Sequence, residues 1–575
     1  PGIYMLEVRD PVSVAASSNP NWPAKQRAVI VLSDNNITFK RGSQGESMAW
    51  VTDLRNGQPV AGAEVTFHRR FEELATATTD ADGLARASLN LPAADQYIPV
   101  FAASGQPGDA NFAVVSSDWA SGIEPWSFNL NSYGTSEQAV INLYTERPIY
   151  QPGQTVYWKG IVRLLQADEW TLPQAGEAFQ LRINDTLGNV VLERTYTADE
   201  FGTIHGEFTL APDAPTGWYG INTEYRQGEA TVAYGSANFV VAAYVKPEFQ
   251  IDVQSEQPEY VQGDTIRVNV QASYFSGGPL VEAPVEWRLI ANTYSFTWAD
   301  TSDGAPEGRF YSFDPFDPDQ AAYNPYENSY LGLVQEGKGT TDAQGRFTIE
   351  LPADLGASLA SQSWSLDVII TSPTSQQVYN NVTFPVHRGE YYIGLSPTSY
   401  VVQAGEQAQV DVVTVTPEGE RQPNADLDVV VYEFRWNSVY ERAEDGNFYW
   451  QTTAERTPVY TTTVSTDANG DGALAFTPEK GGQYQVTAQG TDAAGNTIRS
   501  AAFVWAADSG YVAWPRENND RIELVADKRL YAPGDTAKIL VPNPFTGTVQ
   551  ALITLERGGV MDARVIELTG SGQTV

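Results

Sequence analysis

Three histidines and one Asp-rich loop are the residues in this sequence whose types are best suited to chemistry. The histidines are His68, His205 and His387, and they are far apart along the chain. A hydrolase triad or a zinc site needs several such groups within hydrogen-bond or ligand distance of one another. Because each histidine falls in a different domain-sized stretch, we assign no catalytic residue and no metal ligand.

The Asp-rich loop is Asp467-Ala-Asn-Gly-Asp-Gly472, which matches the first half of an EF-hand calcium loop. A calcium loop carries a bidentate Glu at its twelfth position, which is Pro478 here, and no helical pattern flanks it. The competing interpretation is a hairpin turn, capped by the Asp carboxylate, with Gly at a positive φ. We favour the turn; similar Thr-Asp-Ala-x-Gly segments occur at residues 79–83 and 341–345.

Composition excludes several other kinds of chemistry. The sequence has no cysteine, so disulfides, thiolate metal sites, cysteine nucleophiles and thioesters are absent from these residues. Its 71 acidic and 35 basic residues give a net charge of −36, which argues against a nucleic-acid partner and against adsorption to anionic lipid. No apolar run of about 18 residues is present, so we predict no membrane span. No cofactor is predicted either.

A turn motif recurs at domain-sized intervals and organises the chain. In each copy an aromatic residue precedes a glycine turn, and an alternating strand follows. The copies are Tyr150 with Gly153, Tyr260 with Gly263, Tyr400 with Gly405, Tyr531 with Gly534, and a weaker pair of Phe39 with Gly42. The spacing of these glycines predicts about one domain for each interval.

Short alternating runs rich in β-branched residues, such as residues 29–32 and 410–415, predict half-buried strands. Seven or so strands in about 110 residues is the content of an Ig-like or fibronectin-like antiparallel β-sandwich. No amphipathic helix longer than two turns is indicated. The sequence therefore predicts an all-β protein of tandem antiparallel β-sandwiches.

Three segments resemble one protein family. Residues 145–163 resemble the opening of the macroglobulin-2 (MG2) domain of α2-macroglobulins, and residues 50–65 resemble a strand that opens the first arm domains of bacterial members. Residues 527–541, followed by residues 555–559, resemble the domain that leads into the bait region in that family. The motif residues, to which we assign structural roles, are Arg147, Pro148, Tyr150, Pro152, Gly153, Tyr531, Pro533 and Gly534.

The resemblance implies a series of macroglobulin-like (MG) domains. Residues 1–25 would be the end of a preceding MG domain with a linker, 26–140 an MG domain, and 141–245 an MG2-type domain. Residues 246–390 and 391–506 would each be an MG domain with an aromatic-rich insertion. Residues 507–575 would begin an incomplete MG domain that leads to the bait region, so we expect both ends to lie inside domains.

The family also implies a function. In α2-macroglobulins a protease cuts an exposed bait segment, and the molecule then closes around that protease. The chain would be the scaffold arm of a broad-spectrum bacterial protease inhibitor, periplasmic or at the cell surface, and not an enzyme. Its partners would be proteases and neighbouring domains of the same protein. Anchoring to a membrane would depend on an N-terminal segment missing from this sequence.

The alternative function is a surface adhesin or a polysaccharide-binding stalk, since tandem Ig-like modules also form these. Two aromatic-rich segments bear on the choice, because exposed aromatic rings could stack on sugars or hold a partner. They comprise Phe310, Tyr311, Phe313, Phe316, Tyr323, Tyr326 and Tyr330, and then Phe434, Trp436, Tyr440, Phe448, Tyr449 and Trp450. We favour insertions that fold back against their own or a neighbouring module.

Overall fold

The computed structural model describes the chain except residues 10–24, 43–44, 90, 92–97, 120–136, 167–168, 228–229, 243–247, 302–308, 317–329, 443–447, 517, 519–521, 546 and 557–559. All the regular elements within the described residues are β-strands, so the all-β prediction is confirmed. The chain forms two compact units. The first comprises Pro1–Val245, Asn519–Arg521 and Thr548–Leu568, and the second comprises Lys246–Asn518, Ile522–Gly547 and Thr569–Val575.

The first unit begins with a two-stranded antiparallel hairpin of β1 (Gly2–Arg9) and β2 (Lys25–Leu32). A first sandwich follows. Its strands are β3 (Asn35–Arg41), β4 (Glu46–Asp53), β5 (Glu64–Arg69), β6 (Glu72–Thr78), β7 (Leu84–Ser88), β8 (Val100–Ser104) and β9 (Ala113–Ser116). The sheet β3-β4-β7 and the sheet β6-β5-β8-β9 enclose one core, in which Val65 and Phe67 are fully buried.

The second sandwich of this unit has a longer sequence of strands. They are β10 (Glu137–Thr145), β11 (Ile149–Tyr150), β12 (Thr155–Gln166), β13 (Glu169–Thr171), β14 (Ala178–Asn184), β15 (Val190–Thr197), β16 (Thr203–Thr209), β17 (Gly217–Gln227) and β18 (Ala230–Val241). Strand β12 pairs with β10, β13 and β16, and the other sheet has the order β11-β18-β17-β14-β15. Alternate residues of β14 are buried, as the period of a half-buried strand requires.

The third sandwich belongs to the second unit. Its strands are β19 (Phe249–Ser255), β20 (Tyr260–Val261), β21 (Thr265–Tyr274), β22 (Pro284–Thr293), β23 (Tyr330–Thr340), β24 (Arg346–Pro352), β25 (Gln362–Thr371) and β26 (Gln377–His387). Its sheets are β19-β21-β24 and β20-β26-β25-β22-β23. Phe249, Trp364 and Phe384 fill the core between them. The aromatic-rich insert lies between β22 and β23 and is described over residues 294–301 and 309–316.

The fourth sandwich repeats this arrangement. Its strands are β27 (Tyr392–Pro397), β28 (Val401–Gln403), β29 (Ala408–Val415), β30 (Asp426–Arg442), β31 (Phe448–Ser465), β32 (Asp471–Phe476), β33 (Gly482–Thr491) and β34 (Thr497–Ala507). Its sheets are β27-β29-β32 and β28-β34-β33-β30-β31. The hairpin of β30 and β31 is the longest in the described chain, because the second aromatic-rich segment extends both strands.

After the fourth sandwich, the described residues form five further strands: β35 (Val525–Ala526), β36 (Ile539–Pro542), β37 (Val549–Glu556), β38 (Val560–Leu568) and β39 (Gly572–Thr574). Strands β35, β36 and β39 form one sheet of the second unit, and β37 and β38 form a hairpin of the first unit. In the first unit Lys40 Nζ of β3 lies 2.5 Å from Glu556 Oε1 of this hairpin.

Candidate functional site

The MG2-like motif forms a closed turn at the start of the second sandwich. Tyr150 is buried, and its hydroxyl accepts a hydrogen bond from the Arg147 backbone N–H at 3.1 Å. The Arg147 guanidinium lies 4.8 Å from the centroid of the Tyr150 ring. The Pro148 carbonyl accepts a hydrogen bond from the Val240 N–H at 2.8 Å, so the motif is hydrogen-bonded to the last strand of its own sandwich.

Pro152 and Gly153 form the centre of that turn. The Gln154 N–H donates to the Gln151 carbonyl at 3.1 Å, and Gly153 has a φ of 83°. Proline before a positive-φ glycine is the sequence of a type II turn, since proline fixes its own φ and glycine alone adopts the next position freely. These five motif residues therefore build a backbone turn that closes the start of the second sandwich.

The second motif set closes an equivalent turn in the second unit. The Tyr531 hydroxyl accepts a bond from the Lys528 N–H at 3.2 Å and donates to Asp527 Oδ1 at 2.6 Å. Pro533 precedes Gly534, whose φ is 97°. The two motif sets belong to different units, and each one closes a turn within its own unit.

The third copy of the turn motif does not have its tyrosine in the position that the sequence predicted. Strand β28 places Val402 beside Ala506, where the earlier sandwiches place Tyr150 beside Val241 and Tyr260 beside Val386. Val402 also stands three residues before its turn glycine, as the two tyrosines do. The prediction that Tyr400 is equivalent to Tyr150 is therefore wrong. Tyr400 precedes the strand by one residue. It lies five positions before its turn glycine, two more than the tyrosines of the other two sandwiches.

The Asp-rich loop is a capped hairpin turn in this structure. Asp467 Oδ1 accepts the backbone N–H groups of Asn469 at 2.7 Å and Asp471 at 3.0 Å. These bonds hold the pKa of Asp467 below its ordinary value. Gly470 has a φ of 74°. Asp80 and Asp342 cap their turns in the same way. Among the described residues, no group of three or more acidic or histidine side chains is arranged to hold a metal ion.

The insert of the third sandwich packs against the fourth sandwich and forms a joint between them. The ring of Phe296 stacks on that of Tyr392, with centroids 3.9 Å apart. Backbone hydrogen bonds of 2.8 and 2.9 Å pair Ser312 with Leu395. The described aromatic residues of the insert thus seal against the neighbouring module, while Tyr323 and Tyr326 lie outside the described residues. The apolar cluster at this joint comprises Tyr294, Phe296, Trp298, Tyr311, Phe313, Tyr392, Val413 and Val415.

Polar contacts fix the same joint on one side. Arg421 of the fourth sandwich lies 2.9 Å from Asp300 of the insert and also contacts Asp471. Its guanidinium covers the Trp298 ring at 4.9 Å, and Trp298 Nε1 donates to the Gly419 carbonyl at 2.9 Å. Arg421 thus has both a carboxylate partner and an aromatic partner on the insert. Its side chain therefore holds the insert in position and also pairs with the charge of Asp300.

His387 anchors a buried polar cluster at this joint. Its Nδ1 lies 2.7 Å from the Tyr392 hydroxyl, and its Nε2 lies 3.1 Å from Glu259 Oε2. The Tyr392 hydroxyl lies 2.7 Å from Ser361 Oγ. Burial lowers the pKa of His387, although the hydrogen bond and charge of Glu259 and the charge of Glu418 oppose that shift. The imidazole is consequently neutral near pH 7.

Sequence reasoning missed this cluster because its members come from three separated segments, which contain Glu259, Ser361, and the neighbouring His387 and Tyr392. The other two histidines have local surroundings: His68 Nε2 lies 2.9 Å from Thr66 Oγ1, and His205 is exposed on β16. The three histidines belong to three different sandwiches, and only His387 is shown above with a titratable partner, Glu259. The one sequence signal for it is its place at a domain boundary, five residues before Tyr392.

The long hairpin of the fourth sandwich contacts the segment that follows that sandwich. The Arg516 guanidinium covers the Trp450 ring at 4.6 Å. The Arg516 N–H donates to Ser438 Oγ at 3.2 Å, and Thr452 Oγ1 donates to the Arg516 carbonyl at 2.6 Å. Tyr440 packs beside Trp450, with ring centroids 4.9 Å apart. This second aromatic-rich segment therefore also serves an intramolecular contact.

Together these features define a class of protein, a series of macroglobulin-type β-sandwiches of which the third and fourth meet at a packed joint. Family models match three parts of the chain: a bacterial α2-macroglobulin MG3 domain at residues 32–134, an MG2 domain at residues 141–241, and a bacterial macroglobulin domain 6 at residues 394–511. The chain belongs to the bacterial α2-macroglobulin family.

Relatives of known name agree with this assignment. An α2-macroglobulin of Ralstonia nicotianae is 27% identical over 95% of this chain and 30% of its own length. An α2-macroglobulin homologue of Nostoc sp. is 22% identical over 74% of this chain and 22% of its own length. The chain spans less than a third of these two relatives. The native conformation of Escherichia coli α2-macroglobulin aligns with 96% of this chain and 33% of its own, at 19% identity and a TM-score of 0.43.

Proposed function

We propose that this chain is the scaffold arm of a broad-spectrum protease inhibitor, which traps a protease after that protease has cut a bait segment. Family membership supports the proposal, and the joint between the third and fourth sandwiches is the observation that carries it. There Phe296 stacks on Tyr392, and Arg421 links the insert to the fourth sandwich. Two sandwiches joined in this way move as one body. A movement imposed on one of them is therefore passed on to the other.

In this proposal the arm acts mechanically and is not an enzyme. Arg147, Pro148 and Tyr150 fix the entry of the second sandwich, and Tyr531 and Gly534 fix the equivalent turn near the end of the chain. Their role is to hold each sandwich rigid, so that cleavage of the bait is followed by movement of whole domains. The partners are the trapped protease and the neighbouring domains of the same protein.

We further propose that the protein works outside the cytoplasm, in the periplasm or at the cell surface of a bacterium. The family supports this location, and the absence of cysteine is compatible with it. The described part of the chain contains no helix that is long and apolar enough to cross a membrane.

The test uses the full-length protein and several proteases of different specificity. After incubation, residual activity is measured on a large protein substrate and on a small peptide. A trap blocks digestion of the large substrate and leaves cleavage of the peptide intact, because small molecules still reach the enclosed active site. Unchanged digestion of both substrates contradicts the proposal, and loss of both indicates an inhibitor that blocks the active site directly.

A joint variant makes the test specific to the arm. Arg421→Met removes the contacts to Asp300 and Asp471, whereas Arg288→Met removes an exposed ion pair with Glu336 within one sandwich. We expect both variants to be cut in the bait region. The Arg421→Met variant should protect large substrates less well than the parent protein does, because it loosens the joint. The Arg288→Met variant should protect them as well as the parent protein does.

An adhesin or polysaccharide-binding stalk is the alternative function. Tyr440 and Tyr449, near the end of the long hairpin, are 55% and 38% exposed, and exposed aromatic rings suit stacking on sugars. This alternative predicts that the full-length protein sediments with insoluble polysaccharide and that Tyr440→Ala abolishes the sedimentation. Protease trapping with no such binding excludes it.

A further inference from the structure

The imidazole of His387 sits between two sandwiches, and its environment is ordered by hydrogen bonds. A neutral ring satisfies both contacts when Nε2–H donates to Glu259 and Nδ1 accepts the Tyr392 hydroxyl. Ser361 then extends this series of hydrogen bonds by donating to the Tyr392 oxygen, while the Ser361 oxygen accepts the Arg388 N–H at 3.0 Å. His387 and Glu259 belong to the third sandwich, and Tyr392 begins the fourth.

A second proton would disturb this order. The new Nδ1–H would have to donate to the Tyr392 oxygen, so the tyrosine hydroxyl would turn to Ser361 and displace the Ser361 proton from its acceptor. The positive charge would also be buried, because the side chain of His387 is 0% exposed. Both effects fall on the contact between His387 and Tyr392, which connects the two sandwiches.

The acidic groups around His387 favour protonation, but they only partly offset the cost of burying the positive charge. Glu259 comes from the segment before β20, and Glu418 comes from the turn after β29; both are acidic and favour a charged imidazole. Tyr294 of the insert packs edge-on against the ring, with centroids 5.4 Å apart. Arg388, the next residue, is directed elsewhere, since its guanidinium donates to the carbonyls of Thr497 and Gly356.

We propose that His387 makes the joint between the third and fourth sandwiches a proton-sensitive hinge, closed while the imidazole is neutral and loosened when it takes up a second proton. The open joint exposes His387 to water and so binds the proton more readily than the closed joint. The opening equilibrium then rises by a factor of about ten for each pH unit over which only the open state is protonated. This hinge does not depend on the trapping function.

Hydrogen exchange of the 575-residue chain, followed by mass spectrometry, tests the hinge without any protease. We compare peptides covering residues 386–396 and 416–420 between about pH 8 and about pH 5, after correction for the intrinsic exchange rate. Protection at the joint should fall on acidification, while protection in the core of the second sandwich stays constant. Constant or increasing protection at the joint overturns the proposal.

Three variants separate the hinge from general acid sensitivity. His387→Gln keeps one donor and one acceptor but cannot gain a proton, so joint protection should become independent of pH. His205→Gln, the matched control on an exposed strand, should retain the full acid response. Glu259→Gln removes a charge that favours the imidazolium and should make the joint more sensitive to acid, which keeps the test informative if His387→Gln folds poorly. An unchanged acid response in His387→Gln overturns the proposal.

Discussion

The ring of Phe296 lies flat on the ring of Tyr392, with an interplanar angle of 2° and centroids 3.9 Å apart. Phe296 belongs to the insert of the third sandwich, and Tyr392 is the first residue of the first strand of the fourth. The stack therefore joins two domains through side chains that neither domain needs for its own core. Stability within each sandwich and stability of the joint can be measured separately for this reason.

Phe296→Ala should loosen the joint and leave both sandwiches folded. An aromatic pair contributes about 0.5–1.5 kcal/mol beyond the area that it buries. We expect faster hydrogen exchange in residues 392–397, with little change in the strands of the third core. Phe71→Ala is the control, because Phe71 is fully exposed at a hairpin tip. Equal exchange in the two variants would show that the stack does not hold the joint.

Tyr150 should stabilise the second sandwich through both its ring and its hydroxyl. Tyr150→Ala empties a buried aromatic site and should lower the free energy of unfolding by about 3–5 kcal/mol. Tyr150→Phe loses only the bond from the Arg147 N–H and should cost about 1 kcal/mol. Urea denaturation followed by fluorescence measures both values. Tyr157→Ala, on an exposed position of the same sandwich, should remain within about 0.5 kcal/mol of the parent chain.

Gly153→Ala and Gly220→Ala should change stability in opposite directions. A side chain at Gly153 meets no steric obstacle closer than 3.9 Å, but its φ of 83° costs an alanine about 1–2 kcal/mol. Gly220 has ordinary strand geometry and space for a Cβ, so alanine there should stabilise the sandwich by up to about 1 kcal/mol. Thermal unfolding of the two variants compares them directly. A neutral Gly153→Ala would show that the turn relaxes to another type.

The capped turns predict a loss of stability in acid. Hydrogen bonds from the Thr203 side chain and backbone hold the pKa of Asp199 below its ordinary value. A carboxylate with a lowered pKa in the folded state contributes stability above its unfolded pKa, and that contribution is lost as pH falls through the folded pKa. Asp199→Asn should therefore destabilise the second sandwich at neutral pH, with a difference that vanishes in strong acid.

Denaturation midpoints at several pH values check this expectation. Asp213→Asn is the control, because Asp213 is an exposed residue of the same sandwich. A destabilisation by Asp199→Asn that persisted unchanged in acid would mean that the shape of the side chain, and not its charge, supports the turn.

Local patterns predicted the parts of the fold that depend on local physics. Alternation of apolar residues identified the strands, and the positive φ of Gly153 and Gly470 follows from turn chemistry visible in the sequence. The capping role of Asp467 was predicted for the same reason, since its partners lie two and four residues away. Such interactions leave a short, repeated signature in the sequence.

The contacts at the joint leave no such signature. Arg421 meets Asp300 across 121 positions, and His387 meets Glu259 across 128 positions. Nothing in the sequence near either residue specifies the partner, because the packing of two domains brings the pair together. The misplacement of Tyr400 has a related cause: an insertion of two residues preserves the turn glycine but moves the tyrosine out of the strand position.

The short parallel pairing within the second, third and fourth sandwiches also affects how the chain would respond to tension. In the second sandwich Ile149 and Tyr150 run parallel to Val240 and Val241 of the last strand, and β20 and β28 pair in parallel with the last strands of the next two sandwiches. A pull that separates the two ends of such a sandwich acts along these strands, so their hydrogen bonds are loaded together in shear instead of opening one at a time. Under such a pull the joint between the third and fourth sandwiches would yield before the sandwiches themselves.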